Sequence, residues 1–224
     1  MLTSHEFETV LATTGVVPVL RVNEVARAGE LARVLAGEGL SVIEVTLRTP
    51  EALGAIRRMR EAAPHALVGA GTVLTPDQVS AALDAGAAFV VSPGLHLAVL
   101  RAARQAGLPA MPGVATASEV GSALDEGATL LKFFPASLFG GVDWIVAMAA
   151  PYPTVRFVPT GGLEADDLPR YLAHSSVAAV GGSWIAPARL VDDGDFTRIA
   201  ELARKAVELV AQVRAHGASG QVPK

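Results

Sequence analysis

The stretch "GSALDEGATLLKFFPA", residues 121–136, reads in three parts: a helix-like segment, a glycine, then a short apolar run. Gly127 stands where a helix end calls for positive φ, which glycine adopts without steric cost. The run that follows is short and rich in Leu and Phe, as parallel strands covered by helices tend to be. The same phrase recurs as "ARVLAGEGLSVIEVT" (32–46), "VSAALDAGAAFVVSPG" (79–94) and "LRAARQAGLPAMPG" (100–113), with Gly39, Gly86 and Gly107 at the joints.

Collecting every such run predicts eight strands: 16–20, 41–47, 66–70, 87–91, 108–112, 129–134, 155–158 and 177–180. Their starts lie 21 to 26 residues apart, the length of one strand–loop–helix–loop unit. Helix starts carry N-cap signals, as in Thr75-Pro76-Asp77 and Thr116-Ala117-Ser118-Glu119. Eight strands alternating with helices predict an α/β chain folded as a (β/α)8 TIM barrel, with an extra N-terminal helix over about 3–14. A doubly wound open sheet is the alternative, but the first turn lacks the GxGxxG glycines of a dinucleotide binder. The expected organisation is one barrel domain over 1–216 and a disordered tail over 217–224.

Of 224 residues, 51% are apolar and 18% charged, enough for a large core. A net charge of −4 carries no basic footprint for nucleic acid. The five histidines are scattered and there is no cysteine, so thiolate chemistry is excluded and nothing suggests a metal site. The N-terminus lacks the basic and apolar blocks of a secretory signal, and no apolar run reaches membrane-spanning length. A cytoplasmic protein without a membrane partner is the expectation.

In such a barrel the C-terminal ends of the strands carry function. The polar residues there are Arg21, Glu44 with Arg48, Thr72, Ser92 beside Pro93, Thr116, Lys132, Thr160 with Gly161 and Gly162, and Gly182 with Ser183. Side chains alternate along a strand, so Glu44, Thr46 and Arg48 share one face if strand geometry persists, and Lys132 shares a face with Leu130 and Phe134. Glu44, Arg48 and Lys132 then converge on one mouth from two non-neighbouring strands.

Lys132 is one of only three lysines among 18 basic residues, and it stands in an apolar strand. A desolvated amine can attack a carbonyl and form a Schiff base, which arginine cannot. Apolar surroundings and a neighbouring cation disfavour the charged ammonium, whereas a close carboxylate favours it. The alternative is a lysine that snorkels its ammonium to water. Glu44 suits general acid/base work. A direct pair with Arg48 is poor, because four residues of strand rise about 13 Å. Arg48 suits a bidentate clamp on a carboxylate. Thr72 reads equally as a second donor and as a turn residue. The glycine turns after strands seven and eight, with Ser183, fit a phosphate site built from backbone N–H groups. His96 and His174 read as structural.

"VIEVTLRT", "VGAGTVL", "SPG", "KFFPA", "PTGG" and "GGSW", in this order and spacing, resemble 2-keto-3-deoxy-6-phosphogluconate aldolase and the related 4-hydroxy-2-oxoglutarate aldolases, over about residues 15–212. The resemblance implies a metal-free class I aldolase with no cofactor, a (β/α)8 barrel and a homotrimer. It implies Lys132 as the Schiff-base lysine and Glu44 as the general acid/base, with Arg48 and Thr72 holding the pyruvate carboxylate. Phe134, Pro93 and Thr160 would wall the pocket, and Gly161, Gly162, Gly182 and Ser183 would bind phosphate. Arg21 is a further candidate. The partners implied are a phosphorylated 2-keto acid and pyruvate. The loop after "FFPA" is "SLFGG" here, more apolar at 137–139 than in some members. Competing classes are a phosphate-binding barrel isomerase or synthase, which needs no buried amine, and a sugar-phosphate sensor, which would bind without turnover.

Overall fold

The computed structural model describes residues 2–218. The glycine joints behave as their sequence context predicts: Gly39, Gly86, Gly107 and Gly127 all have positive φ, between 68° and 92°. Helix starts are set by reciprocal caps. In α1 (Ser4–Thr14) the Thr3 hydroxyl accepts from the Glu6 N–H while the Thr3 N–H donates to the Glu6 carboxylate. Thr75 with Gln78, and Thr116 with Glu119, repeat this box. Each such cap contributes about 1 kcal/mol.

The strands are β1 (Val16–Leu20), β2 (Val42–Thr46), β3 (Leu67–Gly71), β4 (Val90–Val91) and β5 (Ala110–Met111). They are followed by β6 (Gly113–Val114), β7 (Leu130–Phe133), β8 (Arg156–Pro159) and β9 (Val180–Gly182). All pair in parallel, in the orders β5-β4-β3-β2-β1-β9 and β6-β7-β8. The fifth strand, expected over 108–112, is thus confined to β5, and Pro112 separates it from β6, which lies beyond the expected end. Proline has no N–H to donate to the ladder, although its carbonyl still accepts from the Lys132 N–H at 2.9 Å. Single bridges, Phe157 to Val177 and Thr160 to Gly181, join β8 to the β9 segment and complete the ring. The strand expected at 177–180 is instead a bridge at Val177 and a ladder over Val180–Gly182, which extends two residues past the expected end.

Outward-facing residues such as Ile43, Val45, Val68, Leu131 and Phe133 join the core beneath the helices. Phe133 stacks on Trp144 at 4.2 Å between ring centroids. Inward-facing Val17, Val42, Phe89, Met111, Leu130 and Val158 form a second core with Phe7 and Leu11 of α1. The extra N-terminal helix therefore plugs the barrel floor, its Phe7 ring lying 4.5 Å from that of Phe89. Phe89 reaches the axis because β3 carries Gly69, where a Cβ would come within 2.4 Å of its ring. With the floor sealed, polar inward residues can meet solvent only at the C-terminal mouth. The last helix runs Phe196–Ala218, two residues past the expected domain end, and the rest of the expected tail lies outside the described residues. Among the described residues no helix is long and apolar enough to cross a membrane.

Candidate active site

Parity along β2 and β7 brings the expected pair together across the ring. Lys132 Nζ donates to Glu44 Oε1 at 3.0 Å and lies 3.4 Å from Oε2, over 88 residues of sequence separation. Lys132 is 5% exposed and Glu44 1%, so the ammonium does not snorkel to water. Nζ also sits 5.4 Å from the centroid of the Phe134 ring, on the negative face of its π-system. Space for the Glu44 carboxylate comes from the neighbouring strand, where a Cβ at Gly71 would stand 2.2 Å from Oε1.

Above this pair opens a cavity of about 260 Å³. Ten of the residues expected at the site line it: Lys132, Arg48, Thr72, Phe134, Pro93, Thr160, Gly161, Gly162, Gly182 and Ser183. Glu44 does not itself line the cavity and is joined to it by its contact with Lys132. Arg21 is exposed and lines an adjoining chamber of about 630 Å³ that shares Arg48 and Ser183 with the first. His96 and His174 line neither.

Arg48 reaches the mouth by a route that strand parity does not describe. β2 ends at Thr46, and the Arg48 N–H turns back onto the Thr46 carbonyl at 2.8 Å. Its Nε–H donates to the Thr46 hydroxyl at 3.1 Å, and among the described residues it has no carboxylate partner. No direct Glu44–Arg48 pair forms, and the Glu44 carboxylate is engaged by Lys132 instead. Thr72 has φ 57°, the only positive φ outside glycine among the described residues. For a β-branched residue that costs about 1–3 kcal/mol and marks a conformation imposed by its surroundings.

Gly161 and Gly162 also have positive φ, 97° and 71°, so the turn after β8 needs glycine twice. A Cβ at Gly162 would meet Ser137 Oγ at 2.0 Å, and one at Gly161 the Phe134 ring at 3.0 Å. Thr160 is 6% exposed, and its Oγ1 is 2.4 Å from where a Cβ of Gly181 would stand. The glycine turns thus keep the backbone close to the cavity wall.

Thr46, expected on the inward face with Glu44 and Arg48, and Gly181 of the second glycine turn also line the cavity, as do Val19 and Leu163, which the sequence reading did not single out. Thr46 and Val19 were legible as inward positions by alternation. Leu163 lies beyond a glycine turn, where alternation no longer predicts direction.

A buried lysine on a glutamate, beneath a cavity with an unpaired arginine and glycine turns, is chemistry for capturing an anionic carbonyl compound. A family model described as KDPG and KHG aldolase matches residues 7–202. The chain belongs to this aldolase family. The KHG/KDPG aldolase of Escherichia coli K12 is 46% identical over 201 residues, covering 90% of this chain and 94% of that protein. A KDPG aldolase from Legionella pneumophila, with pyruvate captured at low pH as a covalent carbinolamine intermediate, superposes with TM-score 0.86 at 39% identity. That match covers 89% of this chain and 97% of the other. The Zymomonas mobilis 2-keto-3-deoxy-6-phosphogluconate aldolase with 3-phosphoglycerate has TM-score 0.86 at 41% identity, over 92% and 97% of the two chains. Members of this family are lyases, so the sensor and isomerase alternatives fall away, and the barrel is the family's fold.

Proposed function

We propose that the chain cleaves 2-keto-3-deoxy-6-phosphogluconate to pyruvate and glyceraldehyde 3-phosphate through a Schiff base on Lys132, and that it also accepts 4-hydroxy-2-oxoglutarate. The observation that carries this reading is the 3.0 Å contact between Lys132 Nζ and Glu44 Oε1 at the base of the cavity. An ammonium cannot attack a ketone. Moving one proton along that contact produces a neutral amine and a carboxylic acid side by side. The amine adds to the C2 ketone, the acid protonates the departing hydroxyl, and water leaves to give an iminium. Glu44, again a carboxylate, takes the proton of the C4 hydroxyl. The C3–C4 bond breaks, its electrons flow into the iminium, and glyceraldehyde 3-phosphate departs. Glu44 returns the proton to C3 of the enamine, and hydrolysis frees pyruvate.

In this reading Arg48 and Thr72 grip the carboxylate, Phe134, Pro93 and Thr160 wall the pocket, and Gly161, Gly162, Gly182 and Ser183 take the phosphate. Arg21 adds positive charge at the rim. Thr160, buried in the wall, reads the direction of the C4 hydroxyl, and the galactonate epimer is the alternative substrate. We also take the enzyme to be cytoplasmic and homotrimeric. Self-association is supported by an apolar patch of Leu138, Phe139 and Val146, which are 80%, 47% and 48% exposed. Borohydride reduction in the presence of pyruvate, followed by mass mapping, tests the chemistry: Lys132 carries the pyruvyl adduct, and an unlabelled Lys132 overturns the mechanism. Pyruvate release from both epimers and from 4-hydroxy-2-oxoglutarate ranks the substrates.

A further inference from the structure

Thr46 stands between Glu44 and Arg48 on the inward side of β2, only 3% exposed, and its hydroxyl is committed in two directions. It donates its single proton to the Leu20 carbonyl at the end of β1, at 2.7 Å. Towards Arg48 it can therefore only accept, which it does from Nε–H at 3.1 Å. The Arg48 backbone N–H is bound to the Thr46 carbonyl as well, so the arginine is tied to this residue at both ends. A guanidinium carries five N–H groups in a rigid plane. Fixing Nε–H on Thr46 leaves the terminal edge, Nη1 with Nη2, as the pair available to grip a carboxylate bidentately. The anchor is itself rigid, because Leu20 belongs to the strand ladder.

We propose that Thr46 is a positioning residue for the keto acid: its hydroxyl selects which edge of Arg48 faces the cavity and holds the side chain there before substrate arrives. The proposal rests on the assignment of Arg48 to the substrate carboxylate. Pre-ordering of this kind lowers the entropy lost on binding, so its signature is in affinity rather than in the bond-breaking step.

The test is a cycle of variants read by pyruvate trapping on Lys132 and by steady-state kinetics. Thr46→Val keeps the shape and removes the hydroxyl. It should raise both the KM for the phosphorylated keto acid and the pyruvate concentration for half-maximal trapping by about tenfold, with kcat changed by less than about threefold. Thr46→Ser, which keeps the hydroxyl, should stay within about twofold of the parent. In an Arg48→Ala background, Thr46→Val should add less than about twofold to either value. Should Thr46→Val not fold, Thr46→Ala carries the same comparison. Parent-like pyruvate affinity in Thr46→Val overturns the proposal, as does an undiminished effect in the Arg48→Ala background, where Thr46 would be acting without the arginine. Parent-like affinity in Arg48→Ala alone overturns the carboxylate assignment itself, and the proposal falls with it.

Discussion

Lys132 and Glu44 place a cation and an anion on one contact in a site almost closed to water. Such a pair is costly to desolvate, and removing one member strands the other charge. Glu44→Leu should therefore lower unfolding stability by about 3–5 kcal/mol, read by urea denaturation, while Glu44→Leu with Lys132→Met loses less than either single change. The double variant should release no pyruvate, the outcome expected if the pair serves turnover rather than the fold. For activity, Lys132→Arg keeps the charge but has no nucleophilic amine, and pyruvate release should vanish. Glu44→Gln should lower kcat by about 10²–10⁴. A Lys132→Arg enzyme with parent-like turnover would sink the Schiff-base reading. The residue types at this scale were legible because a lysine in an apolar strand is rare enough to demand a reason.

At the scale of elements, β3 is as much a part of the site as the strands that carry its charges. Gly69 and Gly71 face inward, and the atoms a Cβ would meet belong to Phe89 and Glu44 respectively. Gly71→Ala should push the Glu44 carboxylate off Lys132. The expected result is a fall in kcat of about a hundredfold, partly recovered by Glu44→Asp in the same background, whose shorter side chain makes room. Gly69→Ala should instead cost about 1–3 kcal/mol in thermal unfolding by displacing the Phe89 ring, with little change in kcat for the folded enzyme. The glycine joints at helix ends were legible in the sequence, since left-handed backbone there has few other solutions. Strand ends were not. Alternation predicts direction only while the ladder continues, and at Thr46 it stops, so the turn of Arg48 onto Thr46 lay beyond it. Pro112 separates β5 from β6 for a related reason, because one missing donor ends pairing on one side while its carbonyl serves β7.

On the scale of the whole molecule, sealing the barrel floor with α1 leaves a single direction from which a ligand can reach the Lys132–Glu44 pair. Phe7→Ala should cost about 3–5 kcal/mol, measured by thermal unfolding, because it opens a void against Phe89 beneath the site. Leu138→Glu with Phe139→Ser should shift the assembly towards smaller species in sedimentation equilibrium, and an unchanged mass would separate this patch from self-association. The sequence by itself determined the repeat of strand and helix, the joints between them, the inward positions of Glu44 and Lys132, and the chemistry those side chains can perform. These follow from local rules: 3.6- and 2-residue periodicity, and the backbone freedom of glycine. Only the tertiary structure decided that residues 88 apart in sequence meet at 3.0 Å, that Gly71 makes room for the contact, that Thr46 steers Arg48, and that α1 closes the floor. Those depend on how strands across the ring are set relative to one another, a distance that no single strand's pattern contains.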